Sequence, residues 1–332
     1  MSAALAEAPG PALAGAEETV VALGGGRTLR ALIAGEGPPV VLIHGTLGMA
    51  EDMALGLFAS LSGRFRAIAI DRPGHGGSRR LRFESAPTRQ AELIRQGLRE
   101  LGVERPILLA HSIGGPVALA YARAWPGETA GLVLLAPAAY PEFRRIEHTY
   151  LSPRAAPWFG PLASNAAHES VDLAVLPLLQ KTMFAPQDIP DCWARGFPHH
   201  LIRRPEQMTA NGEDLSEMPA LGLLAASYRT IATRTIVLSG DKDAIINPNR
   251  HARGLVAALP NAELEMLPGL GHMAHHFAAD RIAAAVERVW RQTSGAGTRR
   301  DGEGTAWRVD AVKSGTQVFL HAGAGRQTCV PA

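Results

Sequence analysis

The chain lacks the features that mark several whole classes of protein. It has two cysteines in 332 residues, Cys192 and Cys329, far apart in sequence. So few thiols cannot build a disulfide framework, and reduced thiols are the expectation. Charge of one sign is also missing: 33 basic side chains face 31 acidic ones, a net +2, with the two kinds mixed along the chain. No basic stripe suggests a nucleic-acid partner and no charged face suggests a membrane surface. No apolar run is long enough to cross a bilayer, so stable membrane insertion is not expected. Residues 1–18 are rich in alanine, proline and glycine but have neither the basic start nor the continuous apolar core of a signal peptide. They read as a disordered leader, and the chain as a cytoplasmic protein. No internal repeat is visible.

What is present is a large apolar fraction, 46% of the residues, enough for a substantial core. From Thr19 onward short apolar runs alternate with segments of helical period. Thr19–Leu23 and Thr28–Ala34 suggest a hairpin around Gly24–Gly26. Val40–Ile43, Arg66–Ile70, Ile107–Ala110, Leu132–Leu135, Thr235–Leu238 and Leu264–Leu267 read as strands. Glu51–Leu61, Thr88–Leu101, Val117–Trp125, Asn249–Ala258 and Ala278–Arg291 read as helices. Continuously apolar strands alternating with helices imply an α/β fold with a mostly parallel sheet covered on both faces. The alternation breaks between Pro137 and about Thr233, where prolines multiply and the helices look short. That stretch reads as an insertion into one sheet. The core is therefore expected at 19–136 and 234–292, the insertion at 137–233 and a mobile tail at 293–332. A short strand at Gln317–Leu320 is the one element suggested in the tail.

The chemistry concentrates at turns after the strands. In Ile107-Leu108-Leu109-Ala110-His111-Ser112-Ile113-Gly114-Gly115 an apolar strand runs into a serine and then into small residues that open a helix. A serine at such a corner is lifted off the sheet beside the positive end of a helix, which makes Ser112 a candidate nucleophile. Ala110 and Gly114 occupy the positions where the chain folds back and bulk is excluded. A hydroxyl needs a base, and His272 follows the last strand at the same sheet edge. The base needs an orienting carboxylate. Asp243, in Gly240-Asp241-Lys242-Asp243, is the choice; Asp241 suits the turn itself, and Glu142 is more remote. An oxyanion needs two donors, expected from the backbone N–H groups of Ile113 and Thr46. His44, Asp71 and His75 read as residues that fix loops. His275 and His276 lie close to His272, but no acid or cysteine stands at a persuasive ligand spacing. No metal and no cofactor are expected.

With Ser112, Asp243 and His272 in that chain order, the sequence resembles the α/β-hydrolase superfamily. The likeness runs from about Thr19 to Arg291. It rests on His44-Gly45-Thr46, Asp71-Arg72-Pro73-Gly74-His75-Gly76-Gly77-Ser78, Ala110-His111-Ser112-Ile113-Gly114, Gly240-Asp241-Lys242-Asp243 and Gly271-His272. It implies an eight-stranded sheet whose second strand is antiparallel, and a helical cap at 137–233 over the active site. Two departures stand out. Ala110 replaces the commoner glycine, and a serine stands where the haloalkane dehalogenase and epoxide hydrolase branches use aspartate.

Tyr140, Phe143, Trp158, Phe159, Met183, Phe184, Trp193 and Phe197 crowd into the inserted stretch. An aromatic roof with few charges fits a small or medium apolar ester. The same residues would also serve a carbon–carbon bond hydrolase of ring-cleavage products, a thioesterase or a lactonase, and the fold can serve as a non-catalytic ligand receptor.

Overall fold

The computed structural model describes residue 13 and residues 15–294. Eight strands form one sheet: β1 (Glu17–Gly24), β2 (Arg27–Ala34), β3 (Pro39–Ile43), β4 (Arg66–Ile70), β5 (Ile107–His111), β6 (Gly131–Leu135), β7 (Thr235–Gly240) and β8 (Ala262–Leu267). Their spatial order is β1-β2-β4-β3-β5-β6-β7-β8. β2 pairs antiparallel with both β1 and β4, and every later pairing is parallel. The fold is thus the mostly parallel eight-stranded α/β sheet that the sequence implies. β1 starts at Glu17, so the first strand reaches into the stretch read as leader.

The strand pattern sorts side chains by period two onto two covered faces. Val40, Leu42, Ile107, Leu109, Val133 and Leu135 pack on one side. There they meet α1 (Ala50–Leu61) and the late helix at Ala279–Thr293. Val41, Ile43, Leu108, Ala110, Leu132 and Leu134 pack on the other. They meet α2 (Pro87–Glu100) and α3 (Gly114–Ala124). The late helix buries Ile282, Ala285, Val286 and Val289, a stripe at i, i+3, i+4 and i+7. Gly131 lets that helix approach the sheet, since a Cβ there would lie 2.2 Å from Val289 Cγ1.

Between β6 and β7 the chain is helical among the described residues. It passes through α4 (Arg145–Leu151), α5 (Gly160–Ala167), α6 (Val171–Phe184), α7 (Asp191–Gly196), α8 (His199–Ile202), α9 (Pro205–Ser216) and α10 (Leu221–Ala225). α6 and α9 are longer than the weak periodicity suggests. Pro177 sits inside α6, and the buried face of α9 is largely polar, so neither segment shows an apolar stripe. After β7 come a π-helical turn at Asn249–Arg253, α11 (Gly254–Ala258) and, after β8, α12 (Ala279–Thr293). The aromatic residues of the insertion divide. Phe184, Trp193 and Phe197 are buried in one cluster: Phe184 meets Trp193 edge-on with ring centroids 4.9 Å apart, and Trp193 stacks on Phe197 at 4.5 Å. Phe143, Trp158 and Phe159 are exposed, Trp158 by 91%. The expectation of reduced thiols does not hold for Cys192, on α7, which is not a free thiol. Cys329, the tail and its suggested strand lie outside the described residues. No helix among the described residues is long and apolar enough to cross a membrane.

Leu42 lies at the centre of this sheet and is fully buried. Leu42→Ala should cost about 2–5 kcal/mol through lost burial and the cavity left behind. Urea unfolding would read it, and a loss below about 1 kcal/mol would show that this layer collapses around the gap.

Candidate active site

The parallel strands bring the loops after β3, β4, β5, β6, β7 and β8 to one edge of the sheet. At the end of β5 the chain turns into α3 through Ser112, whose φ is +53°. A non-glycine residue in this left-handed region costs roughly 1–2 kcal/mol and persists only where its surroundings over-determine it. Here they do. The Ser112 N–H donates to Leu135 O at 2.9 Å, and the Ser112 carbonyl accepts from Gly115 and Ala138, both at 3.0 Å. Bulk is excluded as the motif requires: a Cβ on Gly114 would lie 2.7 Å from Ile43 O and 2.8 Å from His44 O. Ser112 is 2% exposed.

His272 and Asp243 meet. His272 Nδ1 donates to Asp243 Oδ2 at 2.8 Å, and the other Asp243 oxygen accepts the N–H groups of Ile245 (2.8 Å) and Ile246 (2.9 Å). Both carboxylate oxygens are therefore engaged, which fixes the plane of the acid and the tautomer of the ring. Asp241 is bonded elsewhere. Its Oδ1 accepts Gly269 N–H at 2.7 Å and ties the β7 turn to the β8 turn. Glu142 accepts from His251 Nε2 at 2.9 Å. His111, the neighbour of Ser112, packs its ring 4.6 Å from that of His272 and bonds His272 O through Nε2 at 3.1 Å. Through His111 the corner after β5 is joined to the loop after β8.

The loop after β3 completes the edge. Gly45 abuts the corner, since a Cβ built on it would sit 3.0 Å from Ser112 Cβ. Thr46 follows, its hydroxyl buried and without a partner among the described residues. His44 accepts the Arg72 N–H at Nε2 (2.9 Å) and donates from Nδ1 to Gly45 O (2.8 Å). Burial, then the Arg72 charge, hold this imidazole well below its ordinary value, so it stays neutral and braces the loop. Asp71 is a corner post: its oxygens take the N–H groups of Ala50 (2.7 Å) and Gly77 (2.7 Å) and a guanidinium N–H of Arg30 (3.0 Å).

One cluster escapes sequence reading. Asp52, on α1, accepts from Trp193 Nε1 at 2.8 Å, His276 Nε2 at 3.1 Å and His275 Nε2 at 3.3 Å. An acid thus joins the two histidines from 223 and 224 residues away, the ligand set that spacing alone does not show. The donor chemistry does not fit a metal. A histidine that binds metal through Nε2 carries its proton on Nδ1, which then needs an acceptor. The Nδ1 atoms of His275 and His276 are both buried without a partner among the described residues. Protonation at Nε2, with both rings donating to Asp52, leaves only bare lone pairs unpaired. Burial pushes the Asp52 carboxyl up, but the donors around it more than offset this and it lies well below its ordinary value. Arg144, after β6, is a second residue without a sequence signal. It is buried near Asp243, and its Nε and Nη2 have no partner among the described residues. It lines a cavity of about 600 Å³ with Glu142, Glu147, Asp243 and Ile245.

The profile of the alpha/beta hydrolase family matches residues 40–285, and the chain belongs to that family. Among its relatives, an uncharacterized protein of Mycobacterium tuberculosis is 29% identical over 276 residues, covering 79% of this chain and 77% of that one. A thermophilic esterase from Thermogutta terrifontis superposes with a TM-score of 0.65 at 21% identity, over 84% of this chain and 98% of that one. A 2-hydroxy-6-oxo-6-phenylhexa-2,4-dienoate hydrolase from Rhodococcus sp. strain RHA1 superposes with a TM-score of 0.66 at 21% identity, over 83% and 98%. At that identity the likeness lies in the fold and does not choose the bond that is cleaved.

Burial also sets how the edge responds to acid. It holds His44, His75 and His111 well below the ordinary imidazole value and His276 down at about 4. The unfolded chain binds protons at these rings below about pH 6.5, where the folded chain does not, so stability falls as pH drops from there toward 4. Asp71, pushed up to about 6 by burial and the nearby Glu51 charge, acts in the opposite direction but is one group against several. Urea midpoints should be flat between about pH 7 and 8 and decline steadily from about pH 6.5 to 4.5. A flat profile to pH 5 would mean the rings are protonated in the folded state.

Proposed function

We propose that the chain is a cofactor-free serine hydrolase that cleaves a carboxylic ester of a small or medium apolar molecule through an acyl-enzyme. One observation carries the reading: the His272–Asp243 hydrogen bond of 2.8 Å at the sheet edge that also holds the left-handed corner at Ser112. Ser112 Oγ attacks the carbonyl while His272 takes its proton. Asp243 holds the ring with Nδ1 protonated, so that Nε2 is the basic atom, and stabilises the imidazolium. The N–H groups of Ile113 and Thr46 hold the oxyanion, each worth about 2.7–4 kcal/mol in the transition state. His272 then protonates the leaving alcohol, and water repeats the sequence on the acyl group. In this reading residues 137–233 form the cap that encloses the substrate.

A second reading has its own observation. Arg144 pairs with Glu147 through Nη1 at 3.9 Å, but its buried Nε and Nη2 have no partner among the described residues and lie near Asp243, which favours a substrate bearing a carboxylate, such as the dienol acids of ring cleavage.

Ser112→Ala should lower turnover of a chromogenic short-chain ester by about 10⁴–10⁶ with the fold intact by circular dichroism. A fluorophosphonate should label wild-type Ser112. Full ester hydrolysis by Ser112→Ala would remove the assignment, and absence of labelling in folded wild type would favour a ligand receptor. Faster turnover of a dienol acid than of any ester, lost in Arg144→Met, would select the second reading.

A further inference from the structure

Helix α9 buries a polar face. Gln207, Asn211 and Asp214 stand at i, i+4 and i+7, so they share one side of the helix, and each is 2% exposed or less. A buried polar face costs free energy unless its atoms are paired. These atoms are paired, two of them directly to the loop after β3 and others to it through Arg72. Asn211 Oδ1 accepts the Leu47 N–H at 2.9 Å, and Gln207 Nε2 donates to Gly48 O at 3.3 Å. Gln207 Oε1 accepts the Gly76 N–H at 2.9 Å from the neighbouring loop. Asp214 accepts from Arg72 Nη1 at 2.5 Å, while Arg72 Nε donates to His44 O at 3.0 Å and Nη2 to Gly45 O at 3.3 Å.

The helix therefore grips the loop on both sides of Thr46: His44 and Gly45 through Asp214 and Arg72, Leu47 and Gly48 through Asn211 and Gln207. Leu47 has φ +55°, a conformation that a leucine holds only when its surroundings impose it. The Asn211 acceptor sits on the N–H of that residue, at the peptide directly after Thr46.

We propose that the polar face of α9 positions the oxyanion-holding loop, so that the helical insertion is part of the machinery for transition-state stabilisation as well as cover. Gln207, Asn211 and Asp214 are positioning residues, acting through Thr46, and the inference rests on the serine hydrolase reading above. An oxyanion donor works only at its aimed position, and displacement of such a group by about 1 Å can cost on the order of 100-fold. A helix that merely packs on the core would, when altered, lower stability without selecting the transition state.

The test compares Asn211→Leu and Asn211→Ala with Val289→Ala, which removes buried volume where α12 meets the amino end of β6. In the Asn211 variants kcat for ester hydrolysis should fall about 10- to 100-fold with KM within about 3-fold, the pattern of an interaction made only in the transition state. Affinity for a trifluoromethyl ketone should fall in parallel, and affinity for the product acid should hold. Hydrogen exchange of residues 44–48 should quicken in the Asn211 variants and not in Val289→Ala. A folded Asn211 variant with kcat within about 2-fold of wild type, or with kcat/KM lost wholly through KM, overturns the proposal. If neither Asn211 variant folds, Gln207→Leu is held to the same criteria. Wild type that is unlabelled by fluorophosphonate sinks the hydrolase reading instead. Unchanged exchange at 44–48 sinks the positioning claim whatever the activity.

Discussion

The arrangement depends on one fully buried guanidinium. Arg72 leaves the end of β4 and meets acceptors from the loop after β3, from α2 and from α9: His44 O, Gly45 O, Gln90 Oε1 and Asp214. Burying a charge is costly, and burial pulls Arg72 below its ordinary value, with Asp214 acting the other way. The cost is offset because the planar fork of arginine can serve several acceptors at once, which an ammonium could not do in the same geometry. A pair of this kind adds less to stability than to uniqueness. Asp214 is shared by Arg72, Arg80 and Gln90, so a shifted seat of the insertion would leave a buried charge unpaired.

The sheet was readable in the sequence because its information is local. Val40–Ile43, Ile107–Ala110 and Leu132–Leu135 are short apolar runs that no exposed element would use, and each strand lies within a residue or two of its apolar run. The corner at Ser112, the Asp243 loop and the His272 loop each follow a strand, so their common edge followed from parallel topology. The choice of Asp243 over Asp241 rested on depth in the loop, and the hydrogen bonds give the two acids those different partners.

What the sequence hid is what distance in the chain hides. Asp52 and His275 are 223 residues apart, and no spacing rule joins them. Gln207, Asn211 and Asp214 sit at helical period, but a polar stripe in a sequence normally marks a solvated face; only the docked loop turns it into a buried one. The aromatic residues of the insertion divide between packing and exposure. Phe184, Trp193 and Phe197 belong to a packed cluster against His276, and Trp193 reaches Asp52 with its indole N–H. They fasten the insertion to the core, while Trp158 and Phe159 face outward.

The bond between Leu47 and Asn211 closes a loop of 164 residues. Such a contact yields nothing until about half of the chain has been gathered, because the closure entropy is spent first. The sheet can assemble from neighbouring strands while the loop after β3 still lacks its partner. A chain emerging from the ribosome holds Ser112 long before it holds α9 or His272. The edge that holds Ser112 is therefore completed last, after α9 and the His272 loop have been made.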